Sequence, residues 1–363
     1  MSKLNSDIRA IAFYLPQYHP IPENDEWWGK GFTEWTNVTK AKPLFKDHYQ
    51  PHLPADLGFY DLRLPETRQG QADLAREYGI HGFCYYHYWF NGKRLLERPF
   101  NEVLESGKPD FPFCLCWANE NWTRRWDGQD QEILAEQVYG EESDRLHMQW
   151  LVKAFQDPRY IRIDGKPLFL VYRTTKIPNP KQTTEIWREE ARRLGVGELF
   201  LCRVESFAHE HQDPTAVGFD AAVEFQPDWS NLPSPVQGRL RRWLKRLKLI
   251  KANQPNYYDY SQMVERMLQK PSPGYLRFPC VTPSWDNTAR RKQGATIIHG
   301  STPEKYELWL RSVLQETVTN PSQKGIVFIN AWNEWAEGNH LEPCQRWGHG
   351  YLEATRRALK YIS

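Results

Sequence analysis

Eight short apolar runs recur along the chain, and they limit its fold more than any other feature. They occupy residues 11–15 (IAFYL), 82–86 (GFCYY), 113–117 (FCLCW), 168–172 (LFLVY), 199–202 (LFLC), 221–225 (AAVEF), 279–282 (PCVT) and 326–329 (IVFI). Most are continuous rather than alternating, the pattern of strands buried on both faces of a parallel sheet. Between most of them lie stretches with helical spacing, at 65–78, 143–155, 183–194, 257–268, 303–318 and 351–361. Gly79 and Gly195 close two of these, while Thr302 and Pro303 open another. Strands alternating with helices in this number predict a (β/α)8 barrel of the TIM type. A doubly wound sheet is the rival, but no Gly-rich turn follows the first run. We expect one catalytic unit over residues 1–363, with a long connection at 16–64 on the catalytic face and an insertion at about 231–255.

The composition is strongly aromatic, with 16 Trp, 18 Tyr and 17 Phe. Aromatic faces pack cores and also stack on the C–H faces of sugar rings. A net charge of +2 gives no general attraction to nucleic acid. The six cysteines fall mostly inside apolar runs, where reduced thiols pack as small hydrophobes, and Cys114 and Cys116 lack paired metal-site spacing. No stretch approaches the ~20 apolar residues of a membrane span, and the polar N-terminus lacks a signal-peptide core. A cytoplasmic location is expected.

In a (β/α)8 barrel the residues just after each strand share one face. Here those positions hold aromatics, amides and carboxylates. Tyr14, Tyr18 and His19 follow from the first run, His87 and Trp89 from the second, and Asn119, Glu120 and Trp122 from the third. Tyr172 ends the fourth, the sixth carries Glu224, and Trp285 and Asp286 follow the seventh. The eighth leads into "NAWNEWAEGNHLEP", with Asn333, Glu334, Trp335 and Glu337. Such a set suits an oligosaccharide or polysaccharide, whose hydroxyls take amide and carboxylate partners and whose ring faces take Trp and Tyr. Glu334 and Glu337 stand three apart in apolar surroundings. Glycosyl cleavage needs a carboxylic acid to protonate the leaving oxygen and a second group to assist at the sugar. Burial raises a glutamate's pKa toward neutrality.

The segment "NEWAEG" resembles the E-W-x-E-G signature of glycoside hydrolase family 99, the endo-α-mannosidases and mannanases. The stretches "FYLPQYHPIPENDEWWGKGFTEWTNV", "FCYYHYWFNGKRLLERP" and "WANENWTRRWDG" resemble the related WbsX-like proteins of bacterial lipopolysaccharide and surface-glycan synthesis, often labelled glycosyltransferases. The resemblance implies a (β/α)8 barrel, no cofactor and no metal. It implies that Glu334 is the base toward the sugar's own 2-hydroxyl, which attacks the anomeric carbon and gives a 1,2-anhydro intermediate. It implies that Glu337 is the general acid and then the base for water. The 2-hydroxyl must lie trans to the leaving group, as in α-mannosides and α-rhamnosides. The residue between is Ala336, where the hydrolases commonly show His.

The alternative is a glycosyltransferase or transglycosylase of lipopolysaccharide or O-antigen synthesis. No Asp-x-Asp occurs for a metal-bound sugar diphosphate. One further segment stands out: "GRLRRWLKRLKLIK", Gly238 to Lys251, has seven basic residues, no acid, and Leu, Trp and Ile at helical spacing. That pattern predicts peripheral contact with an anionic membrane, on its inner face.

Overall fold

The computed structural model describes residues 8–124, 129–236, 255–291 and 293–362. Among them, nine parallel strands form the central sheet: β1 (Arg9–Tyr14), β2 (Gly82–Phe90), β3 (Phe113–Trp117), β4 (Lys166–Val171), β5 (Phe200–Glu205), β6 (Ala221–Glu224), β7 (Arg277–Phe278), β8 (Cys280–Val281) and β9 (Ile326–Ile329). Their order is β7-β6-β5-β4-β3-β2-β1-β9-β8. Strands β7 and β8 are two halves of one stave, interrupted at Pro279, which has no N–H to donate. The first half pairs with β6 and the second with β9, so eight staves close a (β/α)8 barrel. All eight apolar runs are staves. Residues of β3 and β9 are buried throughout, because helices cover one side and the barrel interior the other.

The covering helices are α1 (Pro22–Trp28), α2 (Glu34–Lys40), α3 (Pro65–Glu77), α4 (Arg98–Ser106), α5 (Glu141–Phe155), α6 (Pro180–Arg193), α7 (Tyr260–Leu268), α8 (Pro303–Thr319) and α9 (Gly350–Ile362). Thr302 caps α8 by accepting from the Lys305 N–H at 3.4 Å, as its sequence suggests. Three details depart from the sequence reading. Helix α4 lies on a stretch with no helix assigned. The expected helix at 257–268 begins at Tyr260, because Asn256–Asp259 pairs as a strand with Thr296–His299 and Asp259 caps the helix. Strand β2 runs to Phe90, four residues past the apolar run that announced it.

Between β5 and β6 there are only 3-10 turns, Ala208–Glu210 and Pro214–Val217. A charged network lies there instead of a helix. Arg203 pairs with Glu205 at 2.9 Å, Tyr275 donates to Glu205 at 2.8 Å, and Lys270 pairs with both Glu224 and Asp228. The basic segment 238–251 lies outside the described residues. Among the described residues no helix is long and apolar enough to cross a membrane. All six cysteines are free and buried.

Candidate active site

The chain leaving β9 is tied to the chain leaving β1. Leu15 N donates to Asn333 Oδ1 at 2.7 Å, and Asn333 Nδ2 donates back to Leu15 O at 3.0 Å. Tyr18 donates to Asn333 O at 2.5 Å and accepts from Trp335 N at 3.2 Å. Asn333–Glu334 then pairs with Asn339–His340 around a 3-10 turn, Trp335–Glu337. Gly338 ends the turn at φ 55°, and a Cβ there would lie 3.0 Å from Asp286 Cβ and 3.1 Å from Asp286 O, so only glycine fits without strain. Trp335 points away from the glutamates, donating to Glu342 Oε2 at 2.7 Å and stacking on His340 at 3.7 Å.

Glu334 and Glu337 meet at Arg290. Its Nη1 donates to Glu337 Oε1 at 2.9 Å, and its Nη2 lies 3.2 Å from Glu334 Oε2 and 3.2 Å from Glu34 Oε2. Arg290 follows a 3-10 turn, Asn287–Ala289, that Asp286 caps: Oδ1 accepts from Thr288 N at 3.0 Å and from its hydroxyl at 2.6 Å. The other Asp286 oxygen meets His48 Nε2 at 2.6 Å. Burial pushes the Glu334 carboxyl up to about 8, against the opposing pull of Arg290. Glu337 is raised too, with burial again the largest cause.

Both glutamates reach a cavity of about 460 Å³ at the C-terminal ends of the strands. Tyr86 and Tyr88 of β2, Tyr172 after β4, and Trp229 and Trp285 line it, the last two edge to face at 5.2 Å. Trp122 lines it from a hairpin, Trp122–Arg124 with Gln129–Ala135. Gln17, Glu120 and Asn287 add polar groups. Of the residues expected to contact substrate, Glu120, Trp122, Tyr172 and Trp285 reach this wall.

The structure sets the others elsewhere. Strand parity moves several of them. Because β2 continues to Phe90, side chains still alternate there: Tyr86 and Tyr88 face the cavity, His87 and Trp89 face the helices. His87 lies 3.0 Å from His147 Nε2, stacked on Trp150, and burial pushes its pKa down to about 3. Trp89 stacks on His147 at 4.7 Å. Parity likewise turns Glu224 outward to Lys270, since Phe225 takes the cavity side. Others are fastened to backbone or buried partners. Tyr14 donates to Gln71 at 2.7 Å. Asn119 holds Arg173, accepting from its N–H at 2.7 Å and donating to its carbonyl at 2.8 Å. Tyr18, Asn333, Trp335 and Asp286 build the turns described above. His19 is buried, which pushes its pKa down to about 4.

Glu34, Tyr86 and Arg290 were not singled out from the sequence, nor was Trp28, which also lines the cavity. Tyr86 closes the second apolar run, and continuing the strand's alternation through Tyr88 would have set it on the cavity side. Nothing local marks Glu34 or Arg290, which the fold brings together from distant parts of the chain. Among the described residues, no group of three or more His, Cys, Asp and Glu is arranged to hold a metal ion.

Residues 10–355 match the family described as Glycosyltransferase WbsX. The chain belongs to the WbsX family. Over 352 residues it is 47% identical to a protein described as uncharacterized protein WxcX in two strains of Xanthomonas campestris pv. campestris, B100 and ATCC 33913. The match covers 96% of this chain and 49% of those proteins, so the chain spans about half the length of these curated relatives. The GH99 endo-alpha-mannosidase from Bacteroides thetaiotaomicron has a similar fold, with a TM-score of 0.57 at 14% identity over 98% of this chain and 97% of that one. A solved structure described as a glycoside hydrolase-like protein gives a TM-score of 0.58, again at 14% identity, over 99% and 95%.

Proposed function

We propose that this WbsX-family protein is a glycoside hydrolase-like enzyme for α-manno-configured linkages, of mannose or rhamnose type, in a bacterial surface polysaccharide or its precursor. The observation that carries the reading is the arrangement of Glu334 and Glu337. Two carboxylates of one short turn share one guanidinium at the wall of an aromatic cavity. The likeness to endo-alpha-mannosidase folds and the E-W-x-E-G pattern support it.

The buried cluster holds three carboxylates, Glu34, Glu334 and Glu337. Arg290 opposes them, and Arg291 lowers the pKa of Glu337. One negative charge is in excess, and burial disfavours it, so the pair keeps a proton near neutrality. In the proposed reaction Glu334 takes the proton of the sugar 2-hydroxyl. That oxygen attacks the anomeric carbon as its bond to the leaving oxygen breaks, and Glu337 protonates the leaving oxygen. Glu337 then takes a proton from water, which opens the 1,2-anhydro sugar at the anomeric carbon, and Glu334 returns its proton to O2. Two inversions give net retention. The reacting form is the one in which the pair's shared proton sits on Glu337, and a carboxylate whose proton affinity is raised, as at Glu334, is then the stronger base for a hydroxyl.

An α-mannosyl fluoride separates the roles, because fluoride departs without protonation. Glu337→Gln should lose about 10²-fold or more on an oligosaccharide yet still release fluoride in the first step, with the later attack of water slowed, while Glu334→Gln should lose both cleavages. Variants as active as the wild type on both substrates would sink the reading. The family's description as glycosyltransferases favours a second outcome, transfer of a sugar from a sugar nucleotide to an acceptor, while a sugar hydroxyl replacing water in the second step would give transglycosylation with no nucleotide. Incubation with and without a sugar nucleotide distinguishes it: product that forms only with the nucleotide marks a transferase. We further propose that residues 1–363 act as one catalytic unit. The basic segment 238–251 would hold that unit at the cytoplasmic face of an anionic membrane.

A further inference from the structure

The chemistry above leaves Glu34 without a task. It sits in the first turn of α2 with 0% of its side chain exposed, and its Oε2 lies 3.2 Å from Arg290 Nη2. The same nitrogen serves Glu334 at 3.2 Å, and the other terminal nitrogen serves Glu337 at 2.9 Å. Helix α2 is itself held in place. Glu34 N donates to Gln17 O at 3.1 Å, Trp35 Nε1 donates to Tyr60 O at 2.8 Å, and Trp35 packs on Trp335 with ring centroids 5.5 Å apart.

We propose that Glu34 is a positioning residue: a carboxylate anchored on α2 that holds the Arg290 guanidinium, so that one planar group sets where both Glu334 and Glu337 stand. The proposal rests on reading that pair as catalytic. An arginine touching only the two reacting carboxylates would follow whichever is charged at a given step. A third carboxylate set apart from the reaction keeps the fork in one orientation while the pair exchanges protons. A wholly buried carboxylate is costly unless it is paired, so Glu34 and Arg290 depend on each other.

The charge of Glu34 also acts on the pair, raising both glutamates. The other titratable and charged groups facing them come from several elements. Arg290 and Arg291 come from the turn after β8, Tyr18 from the β1 exit, Tyr86 and Tyr88 from β2, and Tyr172 from the β4 exit. Burial raises all four tyrosines, so they stay neutral through the working range.

The test uses two variants of the full chain. Glu34→Gln removes the charge and keeps the shape, and Glu34→Asp keeps the charge and shortens its reach. Carboxyl-carbon NMR of glutamate-labelled protein, assigned with Glu334→Gln and Glu337→Gln, follows the pair without substrate. In Glu34→Gln both carboxyls should titrate at lower pH than in the wild type. In Glu34→Asp the kcat should fall at least about tenfold with KM held, because the pair is displaced rather than the cavity altered. Unmoved titrations in Glu34→Gln overturn the proposal, as does a wild-type kcat in Glu34→Asp. Should Glu34→Gln fail to fold, a crystal structure of Glu34→Asp decides: Arg290 displaced from the pair supports the proposal, and Arg290 unmoved overturns it. A protein that cleaves no glycan but shows the titration shift retires the glycosidase reading and leaves the positioning role in place.

Discussion

Glu342 shows how a side chain far from substrate can shape this site. It is buried, and three donors aim at it: Gln71 Nε2, the Tyr60 hydroxyl and Trp335 Nε1, each at 2.7 Å. Burial pushes its carboxyl up to about 7 from 4.5, with those hydrogen bonds opposing. Its folded value is therefore above the ordinary one. Its contribution to stability is fully present below about 4.5 and lost as pH rises through 7. At pH 6 Glu342 is mainly the neutral acid with one O–H, and Glu342→Gln puts an NH2 with two donors and no acceptor in its place among three donors, so it should cost about 1–3 kcal/mol. That cost should shrink at pH 8, where the wild type has lost the contribution and the amide does not titrate. Urea unfolding at the two pH values measures it, and an equal cost at both would contradict the titration. Because Trp335 hangs on Glu342, the variant should also loosen the turn between Glu334 and Glu337.

One strand decides which aromatics belong to the cavity. In β2 the even positions Tyr86 and Tyr88 face inward, and the odd positions His87 and Trp89 pack on α5 through His147 and Trp150. The strand's start sets this register. At Gly82 a Cβ would fall 2.6 Å from Pro112 O and 2.9 Å from Ile161 Cδ1, so the strand comes too close to its neighbours for any side chain. The two faces should respond differently to mutation. Tyr88→Ala should raise KM for a glycan about three- to tenfold, the loss of one stacking face, and also lower the melting temperature, because the ring is buried against Trp122. His87→Ala should lower the melting temperature and leave KM alone. Glycan titration with thermal melts checks both, and a KM rise in His87→Ala would show that the assignment of faces is reversed.

At the scale of the whole molecule, charge is unevenly placed along the chain. The net charge is +2, yet seven basic residues fall within 238–251, so the rest is net acidic. An acidic body with one basic amphipathic segment meets an anionic surface through that segment or not at all. We therefore expect the wild type to sediment with anionic vesicles at low salt and to be released as salt rises. A variant with four of those residues replaced by Gln should stay in the supernatant. Equal sedimentation of the two would retire the membrane contact. The barrel closes by a stave in two short pieces, Arg277–Phe278 and Cys280–Val281, which gives only two residue pairs to β6 and two to β9.

The staves, their order along the chain and the paired glutamates were legible without coordinates. Continuous apolar runs have one stable home, a sheet covered on both sides, and a three-residue spacing in "EWAE" is local. The helix start at Thr302 is local for the same reason, whereas the start at Asp259 was not read, because the strand ahead of it needed its partner at Thr296–His299 to exist. Which strand tips look into the cavity was not local. It depended on how far each strand runs, because side chains keep alternating between the two faces until the strand ends. Arg290 and Glu34 were further out of reach, since neither sits in a motif and each is explained only by the other. Tertiary structure alone brought a helix of the first long loop against the turn after β8, where burial makes a lone charge costly and a shared one stable.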